Sequence, residues 1–128
     1  SVLCKDMEIN SFKEPPAEVA ELASMSMELI TLPFWKHFFD NSEDLQRAKK
    51  EHLEDLLAVL PWIACIDKFQ HWLYENPEHS IAERQEAWVR IYSEFSPKSV
   101  DWTGVEHFKA YHWQKQLHLY EVPFYYIE

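Results

Sequence analysis

Glu21, Ser24 and Glu28 are spaced so that a helix would carry all three on one face. Intervals of three and seven residues lie close to one and two helical turns. At about 100° per residue, Glu18, Glu21, Ser24, Met25 and Glu28 fall within an arc of roughly 120°, with Val19, Ala23 and Ile30 opposite. A row of carboxylates at this spacing has two uses. It can be the water-facing side of an amphipathic helix, or it can turn one carboxylate toward a metal ion while another orients a ligand of that metal. Zinc accepts carboxylate oxygen but also needs nitrogen or sulfur donors.

The chain offers nitrogen donors only in scattered form. Its seven histidines are His37, His52, His71, His79, His107, His112 and His118. No two are four apart, so the His-Glu-x-x-His helix that presents two imidazoles to zinc is missing from these residues. Imidazoles among so many aromatic residues fit packing and surface roles, and His71 with Glu75 one turn later fits a local pair. At the other end His118, Tyr125 and Tyr126 bring together groups able to donate hydrogen bonds to a developing oxyanion, or equally an aromatic packing cluster. Nucleophilic catalysis has little to work with: there is no Gly-x-Ser-x-Gly elbow, and neither Cys4 nor Cys65 has a histidine beside it in sequence.

The elements that must position these groups are helical. Pro15 and Pro16 stand where a helix can begin without losing a hydrogen bond, and the periodic segment after them runs to about residue 31, before Pro33. A short aromatic piece covers residues 34–40. Asn41 or Ser42 then caps a helix with Glu43 and Asp44 in its first turn. Leu53, Leu56, Leu57 and Leu60 keep a helical period up to Pro61, and Ile63, Ile66, Phe69 and Leu73 resume it until Asn76 and Pro77. That pattern predicts two helices or one bent one. Ser80 and Glu83 form a capping box for a helix that buries Ala87, Trp88, Ile91 and Phe95 and stops at Ser96 and Pro97. Residues 101–104 read as a turn. A last helix is expected from about residue 105 to 121, anchored by Phe108, Tyr111 and Leu119. Period-two alternation is nowhere sustained, so the fold class is all-α, a compact bundle of five or six helices with proline-marked breaks, and residues 1–128 read as a single helical unit.

Composition narrows the function. With 128 residues, 47% of them apolar and 16% aromatic, the chain is one folded domain rather than a disordered segment. A net charge of −10 repels phosphate backbones and anionic lipid, so neither nucleic acid nor a membrane surface is an expected partner. The single glycine, Gly104, rules out glycine-rich phosphate-binding loops within these residues. The longest uncharged apolar run, residues 56–66, holds eleven residues and a proline, against the roughly 20 a membrane span needs. Cys4 and Cys65 have no metal spacing, and Cys65 sits in an apolar run where a thiol packs as a small hydrophobe. A reducing, cytoplasmic location fits this usage, and residues 1–12 lack the pattern of an export signal. The apolar, aromatic ending at residues 122–127 reads as interrupted sequence, since free termini are normally polar and frayed.

Two blocks, Pro16-Ala-Glu-Val-Ala-Glu-Leu-Ala-Ser-Met-Ser-Met-Glu28 and Gln116-Leu-His-Leu-Tyr-Glu-Val-Pro-Phe-Tyr-Tyr-Ile-Glu128, resemble the catalytic domain of the oligoendopeptidase F group. That group lies within the thimet oligopeptidase class of zinc metallopeptidases. The segment Ala58-Val-Leu-Pro-Trp-Ile-Ala-Cys-Ile-Asp-Lys-Phe-Gln-His-Trp72 and the motif Val100-Asp-Trp-Thr-Gly104 are similar to the same family in the same order, so nearly the whole chain is covered. The resemblance implies that Glu21 is the third zinc ligand. Glu28, with Ser24 between them, would be the carboxylate that accepts the second ring N–H of a zinc-bound histidine. It further implies that His118, Tyr125 and Tyr126 bind an oligopeptide substrate and stabilise the tetrahedral oxyanion, with zinc polarising the peptide carbonyl and activating water.

Both zinc-binding histidines and the general-base glutamate would belong to a segment ahead of Ser1. The chain therefore reads as part of a larger helical zincin-type domain, inactive alone, whose partner is the missing N-terminal part or a self-associated copy. The competing reading is a non-catalytic helical interaction module. A part of a larger domain should leave its Glu21 face and aromatic tail exposed, whereas a self-contained module should bury the tail.

Overall fold

The computed structural model describes residues 4–14 and 17–124, with side chains of the first long helix from residue 19 onward. The predicted proline start at Pro15 and Pro16 lies outside the described residues. All regular structure among the described residues is helical, with no strand, as the periodicity predicts. No helix there is long and apolar enough to cross a membrane. The chain divides into two compact units, residues 1–51 and residues 52–127.

In the first unit a 3₁₀ turn at Asn10–Lys13 precedes α1, Ala17–Thr31. Alanine, leucine, methionine and glutamate dominate α1, all good helix formers with no interior glycine or proline. It stops where Pro33 enters the next segment, because proline cannot donate to the carbonyl four residues back and crowds it. The chain tightens there into a 3₁₀ turn, Leu32–His37. Thr31 staples the junction: its hydroxyl donates to the Glu28 carbonyl at 3.1 Å and accepts from Trp35 Nε1 at 3.3 Å. None of the described residues of this unit is buried.

Helix α2, Ser42–Glu75, starts in the first unit and continues through the second. Asn41 caps it, its Oδ1 accepting from the Asp44 amide at 2.8 Å. The prolonged pattern across Pro61 resolves as one helix. The Leu57 carbonyl that loses its partner lies on the exposed side, Leu57 being 73% exposed, so water can replace the missing bond. After Glu75 the chain turns, with Asn76 Nδ2 donating to the Trp72 carbonyl at 2.8 Å. Helix α3, Ile81–Phe95, opens with the expected capping box. The Ser80 amide donates to Glu83 Oε2 at 2.8 Å and the Glu83 amide to Ser80 Oγ at 3.3 Å. These bonds favour the ionised form and hold the Glu83 carboxyl below its ordinary pKa.

The core of the second unit is where α2 and α3 meet: Cys65, Ile66 and Phe69 from one, Trp88 and Ile91 from the other, with Trp113 closing it. Phe69 and Trp88 rings meet edge-on at 5.1 Å between centroids, and Trp62 adds a second edge contact to Trp88 at 5.9 Å. Such aromatic pairs contribute about 0.5–1.5 kcal/mol each beyond area burial. The predicted turn at residues 101–104 is present: the Thr103 amide and hydroxyl both donate to Asp101 Oδ1, at 2.9 and 2.6 Å. Gly104 follows at φ +79°, a left-handed conformation that disfavours residues with a Cβ.

The last predicted helix is not continuous. Residues 105–121 break into α4, Glu106–Tyr111, a 3₁₀ turn at His112–Lys115, and α5, His118–Glu121. The break has a visible cause. The Lys109 carbonyl, which a longer α-helix would offer to the amide four residues on, accepts Trp88 Nε1–H at 2.8 Å and the His112 amide. Gln116 then adopts extended backbone, at φ −88° and ψ 95°. This turns Trp113 and Gln116 inward, while the expected anchors Phe108 and Tyr111 stay 61% and 45% exposed. Leu119, the third anchor, does pack against the core.

Two substitutions measure these contributions. Trp88→Ala should lower unfolding free energy by about 3–5 kcal/mol in a urea titration, since it leaves a large cavity in the core and removes one of the two hydrogen bonds to the Lys109 carbonyl. Ser80→Ala should cost about 1 kcal/mol through loss of the cap.

Candidate functional site

The residues singled out from the sequence fall into two groups, one in each unit. Glu21, Ser24 and Glu28 stand on α1, all exposed. Ser24 Oγ donates to the Glu21 carbonyl at 3.0 Å, the back-bond of a serine inside a helix. Apolar residues of α1 are exposed as well, Met25 on the carboxylate face, Leu29 at its edge, and Val19 and Ile30 on the far side. The helix therefore lacks the ordinary division into a packed stripe and a wet stripe.

His118 opens α5 in the second unit and is half-buried. A side-chain relay reaches it from α2. Trp62 Nε1 donates to Gln116 Oε1 at 3.1 Å, and Gln116 Nε2 sits within hydrogen-bond distance of His118 Nδ1. Gln116 is buried, so its amide orientation is held by partners rather than by water. Downstream, Gln70 on α2 donates through Nε2 to the Val122 carbonyl at 3.1 Å. Phe124 lies between the rings of His71 and Tyr74, with centroids 4.7 and 5.0 Å away. Its φ of +53° puts a residue with a bulky side chain in the left-handed region. Tyr125 and Tyr126 lie outside the described residues.

Other histidines take structural positions. His79 is held between the Asn76 carbonyl and Arg84 Nε. His71 pairs with Asp67 one turn earlier, at 3.8 Å, rather than with Glu75. His112 sits in an aromatic box: Tyr92 at 5.2 Å, Trp62 at 5.4 Å, Trp102 at 6.1 Å and Trp88 at 6.5 Å between centroids. Burial and the nearby Lys115 ammonium push its pKa below the usual imidazole value. Cys65 follows the same logic with opposite sign. Burial, helped by the Glu94 carboxylate, pushes its thiol up to about 12, so it is a packed hydrophobe and not a nucleophile.

Zinc fits this donor set only in part. Among the described residues no group of three or more His, Cys, Asp or Glu side chains converges on a point that could hold a metal ion. Glu21 carries one carboxylate, His79 is held by Asn76 and Arg84, His118 by Gln116, and the His112 ring is surrounded by aromatic rings. The Trp62–Gln116–His118 relay and the box around His112 escaped the sequence reading. Trp62 and Gln116 both lie in segments that carry the family resemblance, but a contact between residues 54 positions apart leaves no periodic trace.

Two measurements follow from these environments. At pH 8 a thiol reagent should label Cys4 well before Cys65, and Cys65 should react only at the rate of unfolding. Because the folded pKa of His112 is lowered, the unfolded chain binds its proton first. The stability this residue contributes is present above about pH 6.5 and is lost as pH falls toward its folded pKa. His112→Phe should therefore flatten the loss of thermal stability between about pH 7 and pH 5, read by circular dichroism.

A family model described as peptidase family M3 matches residues 5–128. No curated protein and no solved structure matches the chain.

Proposed function

The chain belongs to peptidase family M3, and from that premise we propose that it forms part of the catalytic domain of a zinc-dependent endopeptidase of the oligoendopeptidase F type, acting on oligopeptides. The observation that carries this reading is the extent of the match, which runs from residue 5 to residue 128 and takes in every candidate residue from Glu21 to Tyr126. Family membership supports a metallopeptidase domain and peptide substrates. The division of labour within it comes from the residues.

Glu21 supplies one carboxylate to the metal, and two imidazoles come from polypeptide outside residues 1–128. Glu28, two turns further along the same helix, accepts the outer ring N–H of one of those imidazoles, which sets its tautomer and raises its basicity as a ligand. Bound zinc would supply Lewis-acid chemistry. His118 and one of the two tyrosines Tyr125 and Tyr126 donate hydrogen bonds to carbonyl oxygen of the peptide. An α1 that exposes its carboxylates and its apolar side chains alike is what a helix awaiting further packing presents, and this supports a part over a self-contained module. Cytoplasmic residence is the compartment consistent with two unpaired cysteines.

Purified residues 1–128 supplied with zinc should retain no stoichiometric metal after gel filtration and should not cleave a quenched fluorescent peptide. Chelator-sensitive cleavage by this chain alone would overturn the assignment of roles. In a domain completed by a His-Glu-x-x-His segment, Glu21→Ala should abolish zinc retention, and Glu28→Gln should weaken it by about 10–100-fold. Retention unchanged in Glu21→Ala would remove Glu21 from the ligand set.

A further inference from the structure

The relay that ends on His118 defines more than its position. Indole Nε1–H is a donor with no acceptor capacity, so the atom of Gln116 that faces Trp62 at 3.1 Å is the carbonyl oxygen Oε1. The amide is thereby oriented, and its other end, the NH2 group, can only donate. That end faces His118 Nδ1. A ring nitrogen that receives a hydrogen bond carries no proton, so the neutral imidazole has its proton on Nε2.

The donor at the head of the relay is held firmly. Trp62 packs edge-on against Trp88 and His112, and the Lys115 ammonium lies 4.2 Å from its ring centroid. Gln116 is buried and its backbone is pinned on both sides: its amide donates to the Trp113 carbonyl at 3.0 Å, and its carbonyl accepts from the Leu119 amide at 3.2 Å. Neither side chain can turn its amide or indole round without breaking a hydrogen bond in a desolvated place, a loss of the size that normally decides side-chain orientation.

We propose that Gln116, oriented by Trp62, is a positioning residue that fixes His118 as the tautomer protonated on Nε2. His118 then meets its ligand as a hydrogen-bond donor rather than as a base, which selects an oxygen acceptor such as a peptide carbonyl. The use of that donor toward peptide rests on the function proposed above; the tautomer itself does not.

Long-range proton–nitrogen correlation spectra of the ¹⁵N-histidine-labelled chain at pH 8 separate the two parts. Wild type should show His118 with a protonated Nε2 and an acceptor-type Nδ1. Gln116→Glu replaces the donor by a carboxylate that only accepts, and should move the proton to Nδ1 or give the doubly protonated ring. Trp62→Phe releases the amide and should give a mixture of tautomers, with the dispersed Trp88 indole signal reporting that the core is intact. A wild-type His118 protonated on Nδ1, or a tautomer unchanged in Gln116→Glu, would overturn the proposal. Addition of a blocked Ala-Ala-Phe peptide tests the other part: an unmoved His118 Nε2–H signal would remove His118 from the substrate side while leaving the tautomer assignment standing.

Discussion

The hydrogen bond from Trp88 Nε1 to the Lys109 carbonyl is the constraint on which the second unit turns. Trp88 is fully buried between α2 and the C-terminal segments, and its indole N–H would be costly to leave without a partner there. The carbonyl it takes lies at the end of α4. Ending that helix as a 3₁₀ turn carries Trp113 into the core and brings Gln116 against Trp62. Core packing and the placement of His118 are thus one problem with one solution, because the same indole N–H satisfies the core and terminates the helix.

The first unit rests on different physics. No described residue in it is buried, and α1 is held by intrinsic propensity, by the Thr31 staple and by packing on the adjoining 3₁₀ turn. Isolated helices of this length are marginal in water, so the carboxylates of Glu21 and Glu28 stand on an element with little stability of its own. This also sets the two units apart in stability: no described residue of the first is buried, whereas Gln116 in the second is buried beside an aromatic core.

Titratable groups within that core serve packing. Cys65 and His112 are both displaced from their ordinary pKa values by burial first and by a neighbouring charge second, each in the direction that favours the neutral form. A neutral imidazole inside four aromatic rings fills space as a fifth ring would. The contrast with His118 lies in surroundings rather than residue type: His112 meets faces and edges of aromatic rings, while His118 meets an amide with a defined direction.

Much of this was legible in the sequence. Helical class, the termini at Thr31, Glu75 and Phe95, the capping box at Ser80 and the turn at Asp101 follow from signals that act within four residues, and proline, cap and periodicity state them directly. The family, too, was legible in blocks of residues, with Glu21 and Glu28 on one helical face. What only tertiary structure decided was the fate of residues 105–121. There periodicity favoured one helix anchored by Phe108 and Tyr111, and a donor arriving from Trp88, 21 positions earlier, took the carbonyl that would have continued it. The orientation of the Gln116 amide, and with it the proton on His118, has the same origin. A hydrogen bond between distant segments is invisible to any local pattern, because its partners are neighbours in space alone.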